Sequence, residues 1–176
     1  MLSKYKVPLT INNIELDYRK ETFVMGILNV TPDSFSDGGK YNLFDAAIEH
    51  AKEMVENGAK IIDVGGESTR PGYTRISDEE EISRIVPIIK ALKKEVPAII
   101  SVDTYKSAVA RAAIEAGAHM INDIWGAKAD PEIAKVAAEL NVPIILMHNR
   151  ENSQYSNYFE DFIKDLQESI KIAKDA

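Results

Sequence analysis

Five apolar runs in this 176-residue chain each end abruptly in residues able to do chemistry. The first, residues 23–28, runs into NVTPDSFSDGG at 29–39, a segment with carboxylates at Asp33 and Asp37 and hydroxyls at Ser34 and Ser36. The same segment carries a stiff Thr31-Pro32, a lone Phe35 and a closing Gly38-Gly39. A loop that only reverses the chain needs a few turn residues, so this one reads as a ligand-binding loop on a buried strand, although polar residues gather in any surface loop. The other four runs end in Gly65-Gly66-Glu67-Ser68-Thr69, Asp103, Asn122-Asp123 and His148-Asn149. Amide and carboxylate oxygens of this kind suit hard cations and the polar edges of heterocycles. Other chemistries fit less well. Ser68 sits in no G-x-S-x-G elbow and has no indicated histidine partner. His50 falls in a helical stretch, and His119 and His148 lie at opposite ends of different strands, so a three-histidine metal site is not expected. Absence of cysteine removes thiol nucleophiles, thiolate metal sites and disulfides.

The runs at 23–28, 60–64, 98–102, 119–121 and 142–147 are too short for helices. Their apolar residues are neighbours instead of alternating, as in parallel strands buried on both faces. Amphipathic stretches lie between them. Asn42 is placed to cap the first helix, which ends at Asn57-Gly58, and Ser77 with Glu80 makes a capping box for the second. Thr104 is placed to cap the third, ending at Gly117, and Asp130-Pro131 opens the fourth. The last, from about Tyr158, repeats Phe159, Phe162, Ile163, Leu166, Ile170 and Ala173 on one face. Residues 10–16 form a small hairpin or cap ahead of the five βα units.

Five βα units fit either an open doubly wound sheet or part of a closed barrel. An open sheet gathers its ligand at one switch point, whereas in a barrel every strand ends around a shared mouth. Polar ends on all five strands favour the barrel. A (β/α)8 TIM barrel needs roughly 250 residues, and the pattern stops at 174–176 without a glycine cap or a further strand. The expectation is a single α/β domain over 1–176, the first five units of a TIM barrel, truncated at its C-terminus. With 45% hydrophobic residues the chain can bury a real core. Its net charge of -7 opposes a nucleic-acid or anionic-membrane surface. No signal peptide or membrane span is visible in the sequence, so cytoplasm is the default.

Residues 25–39, MGILNVTPDSFSDGG, resemble the first signature of the dihydropteroate synthase family, and residues 61–72, IIDVGGESTRPG, resemble its second. ISVDT at 100–104 and IND at 121–123 are similar to its third and fourth strand ends, in the same order. The resemblance implies Mg²⁺-dependent condensation of a dihydropterin methyl diphosphate with 4-aminobenzoate, small-molecule substrates only, and a homodimer for the full-length family. Positive charge then builds on the pterin methylene as diphosphate leaves, so anchoring the ring and holding the leaving group are the main tasks.

By the same resemblance Asp103 anchors the pterin, its carboxylate accepting two hydrogen bonds from the guanidine-like edge, and Asn122 makes a second contact. A strand-end Asp can also cap the following helix, and an Asn can simply turn the chain. Asn29 corresponds to the Mg²⁺ and diphosphate contact, and Asp33 and Asp37 to mobile-loop acids around the metal. Phe35 and Pro71 correspond to contacts for the aminobenzoate ring, and Thr69 and Arg70 to second-loop residues beside the phosphate arm and the aminobenzoate, though an Arg here can equally be a surface charge. Asp123 points elsewhere by strand alternation. Asp63, His148 and Trp125 read as structural. The family's pattern adds an Asp and a Lys from later strands, with an Arg and a His for the diphosphate, and nothing in 155–176 matches them. A pterin-binding methyltransferase domain shares the anchoring Asp and Asn, but the first loop argues against it. A non-catalytic fragment is the remaining alternative.

Overall fold

The computed structural model describes residues 8–31, 40–68 and 75–176. Five parallel strands lie side by side in sequence order: β3 (Val24–Asn29), β4 (Ala59–Gly65), β5 (Ile99–Asp103), β6 (Met120–Asp123) and β7 (Ile144–Leu146). Each of the last four is reached through a helix: α1 (Lys40–Glu56), α2 (Asp78–Glu95), α3 (Ser107–Ala116) and α4 (Glu132–Glu139), with α5 (Tyr158–Asp175) following β7. This is the succession of βα units expected from the apolar runs. Ahead of it β1 (Leu9–Ile11) pairs antiparallel with β2 (Ile14–Leu16). Asn12 and Asn13 turn this hairpin with φ of 48° and 61°, the left-handed geometry that a two-residue hairpin turn demands and that Asn tolerates.

Strand alternation sorts the sheet into two faces. Leu28, Ile62, Val64, Ile100, Val102 and Ile121 face the helices and form the main core with Ile85, Ile89, Leu92, Val109 and Ile133. On the opposite face Ile61, Ile99 and Met120 pack with Ile11 and Leu16 of the hairpin. The hairpin thereby covers the N-terminal end of the inner face.

Helix ends show where local rules suffice. Ser77 Oγ accepts from Glu80 N at 3.2 Å, but the Glu80 carboxylate pairs with Arg84, so only half of the expected capping box forms. Helix α1 starts at Lys40, ahead of Asn42, which is therefore inside the helix and not its cap. Thr104 does not cap α3 either: its Oγ accepts from Lys106 N at 3.3 Å, and the first helical amide, Ser107 N, donates to Asp130 Oδ2 at 2.8 Å. Asp130 Oδ1 also accepts from Glu132 N, so one carboxylate starts two helices. Gly117 ends α3 with φ 121°, as its position suggested. On α5, Phe159, Ile163 and Ile170 are exposed, because the side turned to the protein is centred on Ser169, with Phe162 and Leu166 only partly covered.

Candidate functional site at the strand ends

Four C-terminal strand residues stand in one row. Asn29 is the register partner of Gly65, Gly65 of Asp103, and Asp103 of Asn122. All four share the inner face with Asp63 and Ser101 one layer deeper, where Asp63 pairs with Ser101. The absent side chain at Gly65 matters here: a Cβ at that position would touch Asn29 Oδ1 and Asp103 Oδ2, each at 3.5 Å. Glycine leaves the space between these two oxygens open. Gly66 is needed for a different reason, since a Cβ there would lie 2.7 Å from Ile85 Cγ2 and 2.9 Å from Glu81 Cγ of the closely packed α2.

The Asp103 side chain makes no hydrogen bond among the described residues, and its pKa is pushed up to about 7, first by burial and then by the charges of Asp63, Glu81 and Asp123. Burial raises Asp63 as well, with the hydrogen bond from Asn122 opposing it. Asn122 Nδ2 donates to Asp63 Oδ2 at 2.8 Å. Asp123 points to the helix side, as alternation requires, and its buried carboxylate accepts from Trp125 N at 2.8 Å and Ala127 N at 2.6 Å. A partly buried carboxylate with a raised pKa at a strand end is a candidate for a functional group.

A second polar cluster braces this row and was not read from the sequence. Lys106 Nζ donates to Glu67 Oε2 at 2.9 Å, Glu81 Oε2 at 2.8 Å and the Ile76 carbonyl at 2.9 Å. Tyr105 OH donates to Glu67 Oε1 at 2.8 Å, and Ile76 N donates to Glu67 Oε2 at 3.0 Å. Burial pushes Glu67 up, but its donors bring it below the ordinary carboxylate range; Glu81, with fewer donors, stays above it. Lys106, opposed by burial, is held above its usual value by the two glutamates. The cluster ties the chain on both sides of the second loop to the β5–α3 connection that follows Asp103. Glu81 hides in the acidic run at 78–81, which reads as solvated charge at a helix N-terminus, and only the packing of α2 shows it buried.

Among the residues expected at the site, the structure brings together Asn29, Asp103 and Asn122. Asp33, Ser34, Phe35, Ser36, Asp37, Thr69, Arg70 and Pro71 lie outside the described residues. His148 has a structural setting: Nε2 bonds to Asp165 Oδ2 at 2.9 Å, and the ring lies 4.6 Å from that of Phe162. Trp125, expected to pack, is half-buried and lines a cavity of about 600 Å³ with Arg75, Lys128, Asn149, Arg150 and Asp165. The cations there are engaged, Arg150 with Asp165 and Lys128 with the Asn149 carbonyl. Among the described residues no three His, Cys, Asp or Glu side chains cluster to hold a metal, and no helix is long and apolar enough to cross a membrane.

Consecutive parallel βα units, a hairpin plug below and a polar row above define the class: an α/β barrel segment. The chain belongs to the pterin binding enzyme family, which matches residues 25–176. It is 61% identical over 168 residues to a dihydropteroate synthase of Clostridium beijerinckii, covering 96% of this chain and 62% of that protein. To the dihydropteroate synthase of Bacillus subtilis it is 60% identical over 161 residues, 92% of this chain and 56% of that one. The crystal structure of dihydropteroate synthase from Clostridium difficile in the presence of pteroic acid superposes with a TM-score of 0.86 at 47% identity, over 89% of this chain and 60% of that chain. The Xanthomonas albilineans enzyme with 4-aminobenzoic acid gives 0.83 at 42% identity, over 92% and 58%. The chain thus spans about 60% of the length of the curated relatives it matches.

Proposed function

We propose that this chain supplies the pterin wall of a dihydropteroate synthase, which condenses (7,8-dihydropterin-6-yl)methyl diphosphate with 4-aminobenzoate to give 7,8-dihydropteroate and diphosphate. The observation that carries the reading is the row Asn29, Gly65, Asp103 and Asn122, in register at one open end of the sheet. Asp103 is the catalytic residue. Its carboxylate accepts hydrogen bonds from the N–H edge of the pterin, and its charge stabilises the cation that develops on the methylene as the C–O bond breaks. The arylamine then forms the new C–N bond and loses a proton. Asn122 holds the ring beside Asp103. Thr69, Arg70, Phe35 and Pro71 serve the phosphate arm and the aminobenzoate ring.

The donor set fits Mg²⁺ in the limited sense that cation requires, one or two hard protein oxygens with phosphate and water completing the sphere. Asn29 would hold it, with Asp33 and Asp37 ordering its waters, and the bound cation would neutralise charge on the departing diphosphate. Inner-facing strand positions carry no Lys or Arg, so the remaining cations come from the rest of the barrel. The completed enzyme is read as a homodimer, as the resemblance implies, with cytoplasm as the default location. Calorimetric titration with a pterin monophosphate, on the chain completed by the last βα units of the Clostridium beijerinckii relative, tests the reading. Binding that Asp103→Asn weakens is expected; no binding overturns it.

A further inference from the structure

Asn122 is held from below. Its Nδ2 donates to Asp63 Oδ2 at 2.8 Å, and a carboxylate offers that contact acceptors only. The amide nitrogen is therefore turned inward and the Asn122 carbonyl oxygen toward the open end, where it makes no hydrogen bond among the described residues. Asp63 is 4% exposed, on the inner-face layer beneath Gly65 and Asp103, so water cannot readily take its place. Its other oxygen, Oδ1, and the Ser101 hydroxyl are buried and make no hydrogen bond among the described residues. An asparagine amide can present either end to a ligand, and only its partner decides which.

We infer that Asp63 is a positioning residue for substrate selection: by holding the Asn122 nitrogen it makes Asn122 and Asp103 present acceptors together, so the site takes a heterocycle edge of N–H donors and rejects one carrying a carbonyl there. The inference deepens the pterin reading and rests on it. A pterin has such a donor edge in its 2-amino group and neighbouring ring N–H. The 2-oxo analogue of the same bicycle replaces the amino donor with an acceptor, which then faces the Asp103 and Asn122 oxygens. Sites built to hydrogen-bond one group reject the analogue lacking it far more strongly than apolar pockets reject a methyl group.

The test uses the chain completed by the last βα units of the Clostridium beijerinckii relative, with 6-hydroxymethylpterin monophosphate and its 2-oxo analogue as probes. Calorimetry should give a preference for the pterin of about a hundredfold or more. Asp63→Asn, which keeps the volume but can donate to a flipped Asn122, should cut that preference at least tenfold. It should have little further effect in the Asn122→Ala background. A preference unchanged by Asp63→Asn, or an equal loss with and without Asn122, overturns the inference while leaving the pterin reading intact. Should Asp63→Asn fail to fold, the unsubstituted barrel still decides: comparable affinity for the two probes overturns the inference. Absence of binding to either probe overturns the pterin reading and the inference with it.

Discussion

Asp103 stands diagonally across the inner face from Asp63, and each carboxylate lies where water is scarce enough for the other's charge to matter. Burial first, then Asp63, Glu81 and Asp123, raise Asp103 from 3.8 to about 7. Below pH about 4 Asp103 holds its proton whether the chain is folded or not, and it contributes nothing to pH dependence. Between about 4 and 7 the unfolded chain releases the proton and the folded chain keeps it, so stability falls as pH rises, with the full cost above 7. Asp103→Asn in the completed barrel should raise unfolding stability by about 1–3 kcal/mol at pH 8 and by almost nothing near pH 3.5, read from urea midpoints. The same change should weaken binding of a pterin monophosphate by about 1.5–3 kcal/mol, as for a charge-assisted hydrogen bond. A variant that loses stability at pH 8 would show that the carboxylate is not strained in this way.

The Glu67–Lys106–Glu81 cluster predicts a steep, non-additive response. Side-chain exposures of 12% for Lys106, 4% for Glu67 and 1% for Glu81 mean that Lys106→Met strands two buried carboxylates. Breaking a buried pair by removing one partner costs about 3–5 kcal/mol. Adding Glu67→Gln and Glu81→Gln to Lys106→Met should recover at least half of that loss. Equal losses for the single and triple variants, measured by denaturant unfolding, would contradict the assignment of the cost to uncompensated charge.

Asp130 begins two helices, so its loss should be felt twice. Asp130→Ala should destabilise by about 2–3 kcal/mol, roughly the sum of two caps. Asn157→Ala, which removes one exposed and long cap contact of 3.5 Å at α5, should cost about 0.5–1 kcal/mol. Thermal melts giving the two variants the same loss would rule out the double role.

The open face of the sheet predicts how the 176-residue chain behaves by itself. Strands β3 and β7 are edges, and Ile27 on the inner face is 63% exposed. Exposed edges and apolar surface favour association, so sedimentation at rising concentration should show self-association that the last βα units suppress. A monodisperse monomer across that range would argue that the inner face is adequately covered.

Strand ends were the most legible part of this chain. A buried parallel strand is a short apolar run, and its first polar residue marks where it leaves the sheet, which is why Asn29, Asp103 and Asn122 could be named and Asp123 assigned to the other face from alternation alone. Caps were legible only where the acceptor is close in sequence. Ser77 and Gly117 obeyed local rules, but α3 takes its acceptor from Asp130, 23 residues away, and no pattern around Thr104 reveals that. Glu81 and Lys106 were missed for a related reason. A charged residue in a charged run looks solvated until tertiary packing removes the water, and hydrogen-bond partners 25 residues apart leave no periodic trace. Asp63 was legible as a buried carboxylate, whereas its hold on the Asn122 amide needed the register of three strands.

The most direct measurement is reconstitution. On the proposed reading the 176-residue chain carries the pterin anchor and a magnesium contact, while the inner-facing positions of its described strands hold no Lys or Arg to neutralise a departing diphosphate; losing one such electrostatic partner costs roughly a hundredfold or more in rate. Mixing the chain with a separately expressed segment bearing the last three βα units, in the presence of Mg²⁺, the pterin diphosphate and 4-aminobenzoate, should yield dihydropteroate. Omitting either half, or substituting Asp103→Asn, should abolish it. Turnover by the chain alone, or by the mixture regardless of Asp103, would contradict the proposed division of labour and the anchor at its centre.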